Sequence, residues 1–279
     1  MKRILVVSGS RADYGLLEWP VKKLNECEDF KVLDLNIWGC DFAKAFDYTR
    51  IGLGDIDLML ILGDRFEILA AATAAHLQRI PIAHIGGGDV TEGSYDDAMR
   101  DSISRMASIH FVTSTSAMAR LSHGGFRNVH LVGNPGIDYI KHADWRKERP
   151  IAEPYVVVNY QAETIDGTVD REWWTSIPDV TQVYIRPNPD RGSEEINGII
   201  ESRLFGNNIA YDFLPHAEYL NLIAHCDELI GNSSSMLYEA PELGVKTRMI
   251  GKRQKGRTIP WGDGNASERI VKILRYCIP

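Results

Sequence analysis

Short runs of β-branched and aliphatic residues alternate along this chain with stretches of helical length, and this alternation constrains the fold more than any other feature. The run DLMLILGD (57–64) is almost continuously apolar, and the alanine-rich stretch FEILAAATAAHLQ (66–78) follows it. A continuous apolar run is typical of a strand covered on both faces, and alanine-rich sequence favours a helix. The repeated strand–helix order predicts an α/β fold whose parallel sheets carry helices on both faces.

One polar segment separates two halves of this pattern. Residues 144–154 (DWRKERPIAEP) are charged and contain two prolines, which is typical of a linker. We therefore predict an N-terminal Rossmann-like domain at residues 1–145 and a C-terminal one at residues 146–279, which includes the final helix. Ligands of such sheets bind at the carboxyl ends of the strands, here in a cleft between two facing sheets.

The charge balance excludes some classes of partner. The 279-residue chain has 31 Lys and Arg against 38 Asp and Glu, a net charge of −7, so it lacks the basic excess that nucleic-acid binding needs. No apolar stretch reaches membrane length, so we expect a cytoplasmic protein without a membrane partner. The four cysteines have no metal-like spacing, which predicts reduced thiols and no metal site.

The first candidate site is a strand-to-helix turn, GSRADYG at residues 9–15. A helix N-terminus offers backbone N–H groups to an anion, and Arg11 adds a positive charge. A simple capped turn is the alternative. The chain contains neither a GxGxxG fingerprint nor a Walker A motif, which argues against dinucleotide and P-loop binding.

Acidic residues follow two other strands of the first half. Asp64 follows the most apolar strand, and the next strand ends in three glycines that precede Asp89, Asp96 and Asp97. Carboxylates that cluster raise the pKa of one member, which makes it a usable base at neutral pH. The alternatives are a helix N-cap for Asp64 and a solvated acidic loop for the others.

Small hydroxyl residues and basic residues follow the predicted strands of the second half. The turn Ser233–Ser235 suits a phosphate group, and Glu239 follows where a carboxylate can accept hydrogen bonds from a ribose diol. The basic loop GKRQKGR (251–257) supplies Arg253 and Arg257, although charged loops are often merely solvated. These residues together indicate a nucleotide-sugar enzyme in which the second half binds the nucleotide diphosphate and the first acts on the sugar.

Seven motifs occur in an order that resembles a known family. They are GSRADYG, LGDRFE, AHIGGGDVTEG with two aspartates following, VGNPGID, RPNPDRGSEEI, IGNSSSMLYEAP and IGKRQKGR. From about Ile4 to Arg257 the chain resembles the hydrolysing UDP-N-acetylglucosamine 2-epimerases of the sialic-acid pathway, as an unusually short member. The resemblance implies two Rossmann-like domains in a GT-B-like arrangement, with UDP eliminated across C1–C2 and water then added to give N-acetylmannosamine. It also implies that no cofactor is required and that the protein is a homo-oligomer, a dimer or tetramer.

The resemblance also implies roles for individual residues. It makes Asp64 catalytic and Asp96 or Asp97 a second catalytic acid, while Asp89 stands where the family also has an acid. The substrate-binding residues that it implies are Arg11, Ser233, Ser234, Ser235, Glu239, Arg253 and Arg257.

The chain departs from the family pattern at three places. Gly86 replaces a glutamate or histidine, and the strand at residues 156–161 carries Asn159 and Gln161 but no histidine. A long helical segment is missing between residues 38 and 55. Two alternatives therefore stay open: a GT-B-type glycosyltransferase that uses a UDP-sugar, and a catalytically impaired UDP-sugar-binding protein.

Overall fold

The computed structural model describes residues 1–92, 94–163, 168–188 and 191–277. The chain divides into two compact units, each built on one parallel sheet. The first unit comprises Met1–Thr91, Tyr95–Ala143 and Thr258–Pro279, and the second comprises Glu92–Ser94 and Asp144–Arg257. The predicted linker therefore begins where the main chain passes from the first unit to the second.

The first unit contains a six-stranded sheet with strand order β2-β1-β3-β4-β5-β6, in which every neighbouring pair is parallel. Its strands and the intervening helices are β1 (Lys2–Ser8), α1 (Arg11–Asn25), β2 (Phe30–Asn36), α2 (Phe42–Gly52), β3 (Leu58–Leu62), α3 (Phe66–Leu77), β4 (Ile82–Ile85), α4 (Asp96–Met106), β5 (Ile109–Val112), α5 (Thr115–His123), β6 (Val129–Leu131) and α6 (Pro135–His142).

The core of the first unit lies on both faces of its sheet. Ile4 and Val6 of β1 pack in one cluster with Leu17 of α1, whereas Leu5 and Val7 pack in another with the alanines of α3. Successive strand residues point to opposite faces, so a strand covered on both sides needs apolar side chains at every position. This geometry explains the continuous apolar runs in the sequence.

The second unit contains a five-stranded parallel sheet with strand order β11-β10-β7-β8-β9. Its elements are β7 (Tyr155–Asn159), β8 (Thr181–Ile185), α7 (Ser193–Arg203), β9 (Ile209–Tyr211), α8 (His216–Ala224), β10 (Glu228–Gly231), α9 (Glu239–Leu243) and β11 (Thr247–Met249), with single 3-10 turns at Trp173–Ser176 and Ser234–Met236. The predicted α/β class with two Rossmann-like parallel sheets is thus confirmed.

The last helix, α10 (Ala266–Cys277), lies in the first unit, whereas the sequence predicts it in the second domain. Its residues Ile270 and Leu274 are fully buried in the same cluster as Leu17 of α1. The N-terminus of α10 is capped from α6, because the buried carboxylate of Asp138 accepts hydrogen bonds from the backbone N–H groups of Ala266 (3.0 Å) and Ser267 (2.6 Å). Contacts between residues more than a hundred positions apart decide this placement, so a linear pattern did not indicate it.

No helix in the described part of the chain is both long enough and apolar enough to cross a membrane.

The capping of α10 by Asp138 should contribute to the stability of the folded chain. Asp138→Ala leaves two N–H groups of α10 without their carboxylate acceptor, and we expect the free energy of unfolding to fall by about 2 kcal/mol or more in urea titrations. Asp55→Ala is the matched control, because the Asp55 side chain is 93% exposed in its ion pair with Arg3. In this control the free energy of unfolding should fall by no more than about 1 kcal/mol. Equal losses in the two variants would contradict the capping role.

Candidate functional site

Polar side chains collect at the carboxyl ends of β3 and β4 in the first unit. Asp64 lies two residues beyond the end of β3, and Asp89 lies four residues beyond the end of β4. Helix α4 begins with Asp96 and Asp97. Parallel strands end at one edge of a sheet, where α/β proteins bind ligands.

A buried arginine on α4 brings these acids together. The Arg100 side chain is only 4% exposed and forms ion pairs with the carboxylates of Asp64 and Asp97. Its Nη1 also donates a hydrogen bond to the backbone carbonyl of Asp89 at 2.8 Å. Burial lowers the pKa of Arg100, but the nearby charges of Asp64, Asp97 and Asp89 outweigh that effect and leave the pKa above its ordinary value. The sequence analysis did not identify Arg100, although its position three residues after Asp97 is typical of an ion pair within a helix.

The acidic pair at the start of α4 is placed next to this arginine. Asp97 accepts hydrogen bonds from the backbone N–H of Thr91 at 3.1 Å while it pairs with Arg100. Asp96 is the first residue of the helix and is partly exposed. Asp97 is therefore not part of a solvated acidic loop, because the Thr91 backbone N–H and the Arg100 side chain hold its carboxylate in place.

Asp89 lies beside Gly86, which follows β4. Its Oδ2 is 3.9 Å from the position that a Cβ atom on Gly86 would occupy. Its carboxylate accepts a hydrogen bond from Oγ1 of Thr113 at 3.0 Å. Gly86 has a φ of +84°, a conformation that favours glycine.

His84 supports the turn that carries Asp64. It is fully buried on β4, with Nε2 2.8 Å from the carbonyl oxygen of Gly63 and Nδ1 3.0 Å from Oγ of Ser104. A carbonyl oxygen can only accept, so Nε2 carries the hydrogen and Nδ1 accepts from the serine hydroxyl. Burial lowers the pKa of His84 to about 4, which keeps the ring neutral at physiological pH.

Asp13 is a further acid in this part of the unit; it belongs to the motif GSRADYG but was not among the predicted site residues. Its backbone N–H is bonded to Oγ of Ser10, the N-cap of α1, at 3.2 Å. Its Oδ2 is buried and has no hydrogen-bond partner among the residues that the structure describes. Burial raises the pKa of Asp13 to about 7. Arg11, which was predicted to bind an anion, is the exposed first residue of the same helix.

In the second unit, the predicted phosphate-binding turn follows β10. Gly231 has a φ of +142°, and a Cβ atom there would lie 2.0 Å from the carbonyl oxygen of Asn159 on β7, so only glycine fits. Ser233 caps the 3-10 turn that follows, with its Oγ 3.4 Å from the backbone N of Ser235 and 3.1 Å from the Ser235 hydroxyl. The Ser234 hydroxyl is 3.1 Å from the Tyr238 hydroxyl.

A chain of neutral polar groups connects this turn to the end of β7. The hydroxyl of Tyr219 lies 2.7 Å from Oγ of Ser235 and accepts a hydrogen bond from Nδ2 of Asn159 at 3.3 Å. Nε2 of Gln161 donates to Oδ1 of Asn159 at 3.0 Å, and its Oε1 accepts from the backbone N–H of Asn188 at 2.9 Å. Burial raises the pKa of Tyr219, so this hydroxyl stays protonated. The side-chain amides of Asn159 and Gln161 are thus bonded to other residues of the unit.

Glu239 and the basic loop (251–257), together with the turn Ser233–Ser235, form the second cluster of polar groups. Glu239 is buried at the start of α9, and its Oε1 is 2.9 Å from Nε2 of His216, a residue that the sequence analysis missed. Arg257 donates to Oε1 of Gln254 at 3.2 Å, and Gln254 in turn donates to the carbonyl of Asn232 at 2.7 Å. Arg253 lies partly exposed in the same loop.

Within the described residues, no group of three or more His, Cys, Asp or Glu side chains is arranged to hold a metal ion.

The fold and these two clusters define an α/β protein with two Rossmann-like units and polar groups at the carboxyl ends of both sheets. The chain belongs to the UDP-N-acetylglucosamine 2-epimerase family, whose model matches residues 54–259. The family predicted from the sequence motifs is therefore confirmed.

Two curated relatives show how close the match is. The polysialic acid biosynthesis protein P7 of Escherichia coli is 30% identical over 92% of this chain and 80% of its own length. A hydrolysing UDP-N,N'-diacetylbacillosamine 2-epimerase of Legionella pneumophila is 26% identical over 92% of this chain and 83% of its own length.

Solved structures share the fold. A co-structure of Staphylococcus aureus MnaA with UDP has a TM-score of 0.78 at 18% identity, covering 99% of this chain and 96% of that one. The UDP-GlcNAc 2-epimerase of Neisseria meningitidis bound to UDP-GlcNAc also has a TM-score of 0.78, at 16% identity, covering 98% of this chain and 99% of that one. These likenesses establish the GT-B-like fold class.

The buried His84 predicts a pH-dependent stability. The unfolded chain takes up a proton on this histidine below pH 6.5, whereas the folded chain does so only near pH 4, so stability is lost as pH falls through that window. Protonation of His84 in the unfolded chain lowers the free energy of unfolding by about 3 kcal/mol over the whole window. Urea titrations between pH 7 and pH 4 should show a shallower loss in His84→Gln than in the wild type. His76→Gln, on an exposed side chain of α3, should leave the pH dependence unchanged; equal slopes in wild type and His84→Gln would contradict the account.

Proposed function

We propose that this protein is a hydrolysing UDP-N-acetylhexosamine 2-epimerase. It eliminates UDP across C1–C2 of UDP-N-acetylglucosamine, or of a related 2,4-diacetamido sugar nucleotide, and adds water to give a sugar of the N-acetylmannosamine type. The observation that carries the proposal is the buried Arg100, which holds Asp64 and Asp97 together in a member of this family.

Elimination needs a base that removes the proton from C2. Asp64 suits that role because it is an ion-paired carboxylate that remains 24% exposed at the strand ends, where it can meet a ligand. The ion pair with the Arg100 guanidinium orients this carboxylate. Asp97, or Asp96 beside it, is the second acidic residue of the proposed mechanism.

Asp89 supplies a carboxyl group close to Gly86, which has no side chain. Its carboxylate reaches to within 3.9 Å of the position of a Gly86 Cβ, so an acidic oxygen occupies the neighbourhood that the family's side chain would fill. Thr113 holds this carboxylate in place through a hydrogen bond. The departure at Gly86 therefore does not remove acidic chemistry from this strand end.

The second unit supplies the nucleotide-binding groups of the proposal. The hydroxyls of Ser233, Ser234 and Ser235 and the backbone of their turn donate to the diphosphate, together with Arg253 and Arg257 of the same unit. Glu239 accepts hydrogen bonds from the ribose hydroxyls, and His216 holds its carboxylate at 2.9 Å. A carboxylate has about four acceptor positions, so the histidine leaves capacity for a diol.

The names of the relatives support the hydrolysing type and the choice of sugars. Two of them, from Legionella pneumophila and Campylobacter jejuni, are described as hydrolysing diacetylbacillosamine 2-epimerases. We include in the proposal the cytoplasmic location expected from the sequence pattern and the homo-oligomeric state that the resemblance implies.

Substitution of Asp64 tests the catalytic assignment. In Asp64→Asn the uncharged amide cannot remove the C2 proton, and we expect UDP release from UDP-N-acetylglucosamine or its 2,4-diacetamido analogue to fall by about a hundredfold or more. UDP release is measured with a coupled assay, and binding of UDP alone by calorimetry should change little.

Asp47→Asn on α2 is the matched control, because the Asp47 side chain is 60% exposed in an ion pair with Arg50 and belongs to neither cluster. This control should turn over like the wild type. Undiminished UDP release in Asp64→Asn would remove Asp64 from the mechanism. Tight UDP-sugar binding by a wild type that releases no UDP would favour the binding-protein alternative.

A further inference from the structure

Asp13 is an acid that the proposed mechanism does not yet use. It lies in the first turn of α1, immediately beyond β1, and its Oδ1 is 3.8 Å from the position of a Cβ on Gly63. Its Oδ2 is 3.4 Å from the corresponding position on Gly9. The two glycines present no side chain to this carboxyl, and Gly63 directly precedes Asp64 in the chain. Asp13 therefore borders the turn that carries the proposed base.

The surroundings of Asp13 disfavour a negative charge. Oδ2 is buried without a hydrogen-bond partner among the described residues, and an unpaired buried carboxylate is costly. Burial raises the pKa of Asp13 most, and the charges of Asp64 and Glu67 raise it further, whereas Ser10 and Arg65 lower it. The Arg65 charge is shared, since its Nε lies 3.2 Å from Oε2 of Glu67.

Asp13 and Asp64 thus differ in their environments. Asp64 is paired with a guanidinium, whereas Oδ2 of Asp13 is buried and has no hydrogen-bond partner among the described residues. Carboxyl groups in different surroundings divide the acid and base roles of a site. Burial raises the pKa of Asp13, which favours its protonated form and suits it to donate a proton.

We propose that Asp13 is a further acid of this site, the one that delivers a proton to C2 of the sugar after UDP has left. The inference rests on the proposed function and adds a residue to it. Epimerisation needs such a group, because a proton returned to C2 on the face from which it was taken would restore the original configuration.

Elimination comes first in the proposed reaction, and addition of water follows. Asp64 takes the proton from C2, the C1–O bond breaks, and its electron pair leaves with UDP, which gives an unsaturated sugar. Asp13 then gives its proton to C2 while the oxygen of a water molecule bonds to C1. The proton released by that water restores the acid form of Asp13, and Asp64 returns its proton to solvent. The products are the free epimerised sugar, UDP and one proton.

The test uses Asp13→Asn, which matches the shape of the protonated acid but cannot donate its proton. With UDP-N-acetylglucosamine followed by proton NMR, this variant should still release UDP and should accumulate the unsaturated 2-acetamido sugar. Formation of N-acetylmannosamine should fall by about a hundredfold or more. Asp34→Asn is the matched control, because Asp34 is another carboxyl with a pKa raised by partial burial, on β2. It should behave like the wild type.

A second readout does not depend on activity. Asn cannot ionise, so the urea midpoint of Asp13→Asn should rise relative to the wild type as pH increases from 4 to 7, the window in which only the unfolded wild type has lost this proton. A pH-independent difference would overturn the assignment of a held proton to Asp13.

The outcomes separate this inference from the proposed function. N-acetylmannosamine formed by Asp13→Asn within a few-fold of the wild-type rate would overturn the role of Asp13 and leave the proposed function intact. A wild type that releases no UDP from either proposed sugar nucleotide would overturn the proposed function, and the proton-delivery step with it.

Discussion

The arrangement of the first unit's acids depends on one buried cation, Arg100. Removing a guanidinium from water costs several kcal/mol, and only partners with good geometry offset that cost. Asp64, on the turn after β3, and Asp97, on α4, supply the opposite charges, and the carbonyl of Asp89 takes a further hydrogen bond. The positions of these acids are therefore coupled, although they come from three different segments of the chain. Ion pairing makes this strand edge an ordered acidic site rather than a solvated loop.

In the second unit, neutral side chains hold the turn after β10 in place. A buried polar network stabilises a fold only when its polar groups are hydrogen-bonded. Here hydrogen bonds connect Gln161 to Asn159, Asn159 to Tyr219, and Tyr219 to Ser235. These side chains fix the turn after β10 without contributing charge. We infer that the positive charge a diphosphate requires comes from elsewhere, and the basic loop with Arg253 and Arg257 is the source in the proposed function.

Local patterns in the sequence predicted the two parallel sheets, because each strand is covered on both faces and must be apolar throughout. The motifs also singled out Asp64 and Asp97, which the structure pairs with the buried Arg100, and Glu239, which it pairs with His216. The placement of α10 was not predictable in this way, since it depends on packing against Leu17 and on capping by Asp138. The roles of His84 and Asp13 escaped prediction for the same reason: burial sets their proton affinities, and burial follows from tertiary packing.

The central claim is that UDP leaves by elimination and that water then adds to the unsaturated sugar. The most direct measurement is proton NMR of the wild-type protein with UDP-N-acetylglucosamine, or its 2,4-diacetamido analogue, in deuterated water. The account predicts free UDP together with the 2-epimeric sugar carrying deuterium at C2. Free UDP with an unepimerised sugar that keeps its original hydrogen at C2 would contradict it, because that result indicates simple hydrolysis, as a glycosyltransferase performs without its acceptor.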